Sequence, residues 1–347
     1  MKLKKLLALG LTTVMTAGLL VGCGSNSGDA DASSSEDKVY KIGMITDTGG
    51  VNDESFNQSA WEGLQDLKEE YGDKVEVKYL ESTQDADYTP NVETFVDDEY
   101  DLIVGVGYKL EEAIKSAASS YPEQQFAIID AVVEADNVNS LTFEDNVSSF
   151  LTGLVAGRMT ETGKVAFIGG IESDLLRTFE YGYKAGVLTA NPDATVSSQY
   201  ANSFSDAAKG KSIANQMHSD GVDIIFTAAG ATGTGAIEAA KENNKKAIGV
   251  DSDQYNLAPD NMLTSAMKNI DVAMFNLCKD MVEGNYEGGK VIVNTLATGG
   301  VGIAPTSDKN VAPDVLEYVN EIAEKIKSGE IKVPSTKEEF EAQFSQN

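Results

Sequence analysis

From Val39 onward the chain alternates short apolar runs with stretches of helical periodicity, and it does so in two successive series. Apolar runs of about four to eight residues read as strands, and an apolar face recurring every third or fourth residue reads as a helix. Strands are expected at Lys41–Thr46, Val75–Ser82, Leu102–Gly107, Gln125–Asp130 and Val138–Phe143. Helical patterns fill the intervals, the clearest from Phe56 to Tyr71 with Trp61, Leu64 and Leu67 on one face, another from Lys109 to Ser120. Runs such as LIVGVG and FAIID suit parallel strands covered on both faces. A helical stretch from Asn146 to Thr162 breaks the rhythm, and the pattern restarts at Lys164–Gly170, Thr195–Asn202, Asp223–Ala229 and Lys246–Asp251. Helices are expected to begin near Asp174, Asp206 and Gly233. The fold class is therefore α/β, with two doubly wound parallel-sheet lobes and a cleft between them. After Leu263–Lys268, a helix at Asp271–Glu283 and a strand at Val291–Leu296 read as returns between lobes. The expected division gives residues 39–143 plus about 261–289 to lobe one, and 144–260 plus about 290–347 to lobe two.

Ahead of this body, Met1 to Lys5 carry three lysines, and Leu6 to Gly22 follow without a charge. That order reads as a signal peptide over residues 1–22 rather than a membrane span. Its end, Leu20-Val21-Gly22-Cys23, resembles the lipobox of bacterial lipoproteins. The resemblance implies cleavage before Cys23 and diacylglycerol on its sulfur, with acyl chains holding the protein on the outer face of a membrane. Gly24 to Lys38, rich in Ser, Gly and Asp, completes a tether over 23–38 with a reach of roughly 20 Å. The formal net charge is −28, and cleavage would remove three lysines and no acid to leave −31. Nucleic acid is excluded as a partner on that charge. Cys278 is the only other cysteine, so acylation of Cys23 leaves no intrachain disulfide, and Cys278 is expected to be a buried small hydrophobe.

In open parallel sheets ligands bind beyond the carboxyl ends of the strands. Asp47 follows KIGMIT, Asp130 ends QFAIID and Asp251 ends KAIGVD. A carboxylate accepts two hydrogen bonds, which suits vicinal hydroxyls or paired N–H donors. For a single such Asp, a turn or helix cap is the plainer role; three at corresponding places shift the balance towards a site. The segment TDTGGVNDESFNQSAWEG, Thr46 to Gly63, gathers Asn52, Asp53 and Asn57 near the start of a helix, behind Gly49 and Gly50. GATGTG at Gly230–Gly235 has the wrong spacing for a dinucleotide fingerprint and reads as a tight strand-to-helix turn. DAAKGKS around Lys211 lacks the upstream glycine of a phosphate loop.

His218 is the only histidine, read on the polar side of a helix, and neither a catalytic triad nor a zinc set can be assembled. No catalytic residue, metal or cofactor is expected. The enzyme alternative, a nucleoside hydrolase, would need a metal cluster or a positioned acid.

The segment IGMITDTGGVNDESFNQSAWEG, with GVGY, IID, GGIES, SFSDAAKGK, GVDSDQ and AMKNID in order from about Tyr40 to Lys332, resembles the basic membrane lipoprotein family. That resemblance implies a type I periplasmic-binding-protein fold and a monomeric receptor for purine nucleosides, such as inosine, adenosine or guanosine, serving the permease and ATPase of an ABC importer. It also implies roles: Asp251 and Lys268 on the ribose, Asn57 and Asp130 on the base edge, Phe204 stacked on the base. Phe56 or Tyr108 would be the opposing aromatic, since Val51 and Asn52 stand where an aromatic could have been. Asp47, Asn52, Asp53 and Gly230 complete the expected site. The same fold serves as the sensor of some repressors, but those carry a DNA-binding headpiece where this chain has its signal peptide. A surface sensor and another small polar solute stay open as alternatives.

Overall fold

The structure, a computed structural model, describes residues 38–344. The expected signal peptide, Cys23 and nearly all of the tether lie outside the described residues. The first series forms β1 (Tyr40–Ile45), α1 (Phe56–Tyr71), β2 (Val75–Leu80), α2 (Tyr88–Asp97), β3 (Leu102–Val106), α3 (Glu111–Ser120), β4 (Gln125–Ile129) and β5 (Val138–Phe143). The second begins with α4 (Asp145–Met159) and β6 (Lys164–Gly169), then α5 (Asp174–Ala190), β7 (Thr195–Tyr200) and α6 (Ala207–Ser219). It continues through β8 (Ile224–Ala228), α7 (Ala231–Glu242), β9 (Lys246–Asp251) and β10 (Met262–Lys268). After these come α8 (Ile270–Val282), β11 (Val291–Asn294), β12 (Val301–Ile303), α9 (Pro313–Lys327) and α10 (Lys337–Phe344).

Two six-stranded sheets result, ordered β11-β5-β4-β3-β1-β2 and β12-β10-β9-β8-β6-β7. The orders match strand for strand, so each lobe is a copy of the other's plan, and in each the order reverses beside the first strand. All pairings are parallel except β12 against β10. The strands are apolar on both faces because helices cover both: Ile42, Met44, Val104 and Ile129 pack towards α1 and α8, and Ile45, Ile103 and Ile128 towards α2 and α3. In the second lobe α4 is buried along nearly its whole length among α5, α9 and sheet two. Cys278 is a free thiol, fully buried in the first-lobe core. Among the described residues no helix is long and apolar enough to cross a membrane.

The expected division of the later residues needs correction. β10, placed in lobe one with 261–289, pairs with β9 in sheet two, and β11, placed in lobe two, pairs with β5 in sheet one. The chain thus crosses between lobes at 143–145, again between β10 and α8, and once more between β11 and β12. Hydrophobic periodicity tells a strand from a helix and says nothing of which sheet a strand joins. His218 is also corrected: it is buried, with Nδ1 3.0 Å from the Val222 carbonyl oxygen, and burial pushes its pKa down.

Candidate ligand-binding cleft

The carboxyl ends of both sheets face one another across a cleft with a free space of about 520 Å³, open mouth included. Of the expected residues, Asp47, Asp53, Phe56, Asn57, Tyr108, Asp130, Phe204, Gly230, Asp251 and Lys268 line it. Asn52 does not: side chains alternate along the turn, burying Val51, Asp53 and Ser55 and exposing Asn52 and Glu54.

The strand-end aspartates have different tasks. Asp47 Oδ1 accepts from Gly49 N–H and Asn57 Nδ2, both at 2.8 Å, and burial pushes its carboxyl up to about 6. Asp53 accepts from the backbone N–H groups of Ser55, Asn57 and Gln58, capping α1. Asn57 donates to both carboxylates and accepts from Asp47 N–H at 3.2 Å, so its amide is already committed to shaping the loop. A ligand contact by Asn57 would have to replace one of these bonds.

Asp130 and Asp251 occupy equivalent places after β4 and at the end of β9, and both adopt the left-handed conformation, with φ of 68° and 65°. Such backbone is uncommon outside glycine and gathers at functional sites. Asp251 Oδ2 accepts from Ser55 Oγ across the cleft at 2.5 Å, and burial pushes its carboxyl up to about 7. Beside it Gln254 Nε2 donates to the Glu54 carbonyl at 2.7 Å, so the two lobes are latched shut here.

Lys268, only 1% exposed, places Nζ 2.6 Å from both oxygens of Asp130 and 3.2 Å from Asp145 Oδ1. Burial opposes its charge, but Asp130, Asp145 and Asp251 more than offset that, holding the ammonium above the usual lysine range. The rings of Phe56, Phe143 and Phe179 surround it at 4.9 to 5.5 Å. This is a desolvated cation amid carboxylates in excess, a site suited to ligands that bring hydroxyl or N–H donors and no negative charge.

One aromatic wall rests on a glycine: a Cβ on Gly170, after β6, would lie 2.2 Å from Phe204 Cε1. Tyr108 is half-buried and its phenol engages Ser173 of the opposite lobe. Sequence reasoning missed Leu175, Leu176 and Phe179 on α5, and Ala228, Ala229 and Val250 at strand ends. Their signal was available, since α5 starts just beyond β6, but an apolar helix face reads first as core. Asp145 was missed because an acid in the first turn of a helix is ordinary. Among the described residues no group of three or more His, Cys, Asp or Glu is arranged to hold a metal.

Two mirrored α/β lobes closing on a buried polar cleft define a solute-binding protein, and comparison with known proteins gives the family. The model of the family described as "ABC transporter substrate-binding protein PnrA-like" matches residues 40–337. The chain belongs to this family of ABC transporter substrate-binding proteins. It is 43% identical to the "CD4+ T-cell-stimulating antigen" of Listeria innocua over 95% of this chain and 99% of that one. It is 36% identical to the "ABC transporter nucleoside-binding protein BmpA" of Lactococcus lactis, covering 96% and 99%. A solved ABC transporter solute-binding protein from Aeropyrum pernix shares the fold with a TM-score of 0.81 at 29% identity, covering 88% of this chain and 97% of that one. The type I periplasmic-binding fold expected from the resemblance is therefore the fold of the chain.

Proposed function

We propose that this chain is the receptor of an ABC importer for purine nucleosides, lipid-anchored through Cys23 outside the membrane, and that it releases its ligand chemically unchanged. The observation that carries the ligand class is the pairing of aromatic walls, Phe56 and Phe204, with strand-end carboxylates and one buried lysine in a single cleft. A purine offers two flat faces to such walls, and stacking contributes about 1–3 kcal/mol per base. Ribose hydroxyls donate to Asp251 and accept from Lys268. The nucleoside-binding name of the Lactococcus lactis relative supports the same reading.

The test is a thermal-shift and calorimetric panel of nucleosides, bases, pentoses, amino acids and nucleoside 5′-monophosphates against ligand-stripped protein. Purine nucleosides at 100 times their Kd should stabilise by about 2.7 kcal/mol, and the monophosphates should not, because the carboxylates outnumber the ammonium. Stabilisation by a sugar or an amino acid, with none by any nucleoside, would defeat the ligand assignment. Release of free base in proportion to protein concentration would instead favour a hydrolase.

Anchoring has its own test. Cys23→Ser should release the body into the medium or block processing, and it should abolish labelling by radioactive palmitate. A variant that stays membrane-bound at the wild-type level, with neither protein labelled, rules out the lipid anchor.

A further inference from the structure

Gln254 spans the two lobes. It is 4% exposed and anchored in lobe two, where its Oε1 accepts from Val250 N–H at 3.0 Å. Its Nε2 donates to the Glu54 carbonyl of lobe one at 2.7 Å, and Ser252 Oγ donates to the same carbonyl at 3.3 Å. Val250 offers a donor and Glu54 an acceptor, so the amide fits in one orientation only. The backbone on both sides is shaped for it. A Cβ on Gly249 would lie 2.3 Å from Gln254 Oε1, and Glu54 holds the left-handed conformation with φ of 55°. Such a conformation in a non-glycine residue persists only where its surroundings enforce it.

This clasp lies next to the ligand space. Val250 and Asp251 both line the cleft, and Ser55, the residue after Glu54, donates to Asp251 Oδ2. The Gln254 amide therefore ties the strand end that carries Asp251 to the turn that carries Ser55. Gln254 itself is not part of the cleft wall. An interlobe bond of this kind favours the closed arrangement, and apparent affinity rises with the fraction of molecules in the binding-competent state.

We propose that Gln254 is a positioning residue of the ligand site, clasping the Glu54–Ser55 turn of lobe one to the end of β9 so that the cleft is held closed on its solute. The proposal rests on the reading of this cleft as a nucleoside site and names the residue that sets how slowly the solute escapes.

The experiment measures inosine affinity by calorimetry and inosine dissociation by stopped-flow fluorescence on ligand-stripped wild type, Gln254→Ala and Gln254→Glu, with the radius of gyration of each ligand-free protein from X-ray scattering. Gln254→Ala should weaken inosine by about tenfold or more, chiefly through faster dissociation, and should enlarge the ligand-free body. Gln254→Glu keeps an acceptor for Val250 N–H but loses the donor to Glu54, so at pH 8 it should behave as the alanine variant does. At pH 5 the introduced carboxyl is protonated and donates again, and both properties should return towards those of wild type at the same pH. The carboxyls of Glu54, Asp251 and Asp253, with Glu62 and Asp271 across the adjoining cavity, favour that protonated form. A merely structural role would show no such recovery, and the recovery carries the test should the alanine variant fail to fold. Wild-type affinity or wild-type size in Gln254→Ala overturns the proposal, as does a Gln254→Glu protein no closer to wild type at pH 5 than at pH 8. If wild type binds no inosine, the ligand class falls and the ligand-free radius decides: enlargement of Gln254→Glu at pH 8 that reverses at pH 5 upholds the clasp, and an unchanged radius overturns it.

Discussion

Replacing Lys268 with methionine is expected to destabilise the ligand-free body by about 3–5 kcal/mol at pH 8, the range for removing one partner of a buried ion pair. The melting temperature should fall on the order of 10 °C. The cost arises because Asp130, Asp145 and Asp251 would share a desolvated pocket with no cation. The pH dependence gives the signature. Burial already raises the Asp251 carboxyl from 3.8 to about 7, so the folded state binds more protons than the unfolded one between those values. Stability contributed by such a group falls as pH rises through that window. Without Lys268 the Asp145 and Asp251 carboxyls, which its charge holds down, shift further in the same direction, so the variant should recover most of its loss by pH 5. Thermal melts of both proteins from pH 5 to 9 check this, and a pH-independent difference would mean that packing, not charge, is the role of Lys268.

The second large effect concerns ligand. Asp251→Ala should weaken a purine nucleoside by about 1.5–3 kcal/mol, the worth of hydrogen bonds to a charged acceptor, or roughly ten- to 150-fold. Free bases should bind unchanged, because they bring no hydroxyls to Asp251. A pH effect accompanies this. Hydroxyl donors favour the ionised carboxylate, and Asp251 is pushed up to about 7 when the site is empty. Nucleoside binding to wild type should therefore release a proton and strengthen from pH 6 to 8. Calorimetry in buffers of different ionisation enthalpy measures that release, which should vanish in Asp251→Ala. Equal losses for base and nucleoside would place Asp251 away from the ribose.

Much of this site was legible in the sequence because chemistry sits where strands end. Asp47, Asp130 and Asp251 each close an apolar run, so finding the runs found the carboxylates. Asn52 misled because it belongs to the same polar segment as Asp53, and polarity does not say which way a turn residue points. Phe179 and Leu176 were hidden for the opposite reason: they continue the buried face of α5, and nothing in their spacing separates a core wall from a cavity wall. The strands and helices followed from periodicity, but the exchange of β10 and β11 between sheets did not, since periodicity does not say which sheet a strand joins. Lys268 is singled out by the family resemblance and not by its own local pattern, and assembly brings it within reach of Asp130 and Asp145.

That exchange also governs how the chain can be made and cut. The first sheet is sealed at one edge by β11, whose Asn294 side chain reaches Thr142 from 152 residues further along. A growing chain must therefore hold β5 with a bare edge while the strands β6 to β10 of the other sheet are synthesised, and bare edges invite pairing with other chains. Contacts so distant in sequence slow folding. A fragment ending at Phe143 would lack both that edge strand and α8, which packs on α1. The natural place to divide this protein is consequently not between its lobes, and half-length fragments should be more prone to association than the whole chain.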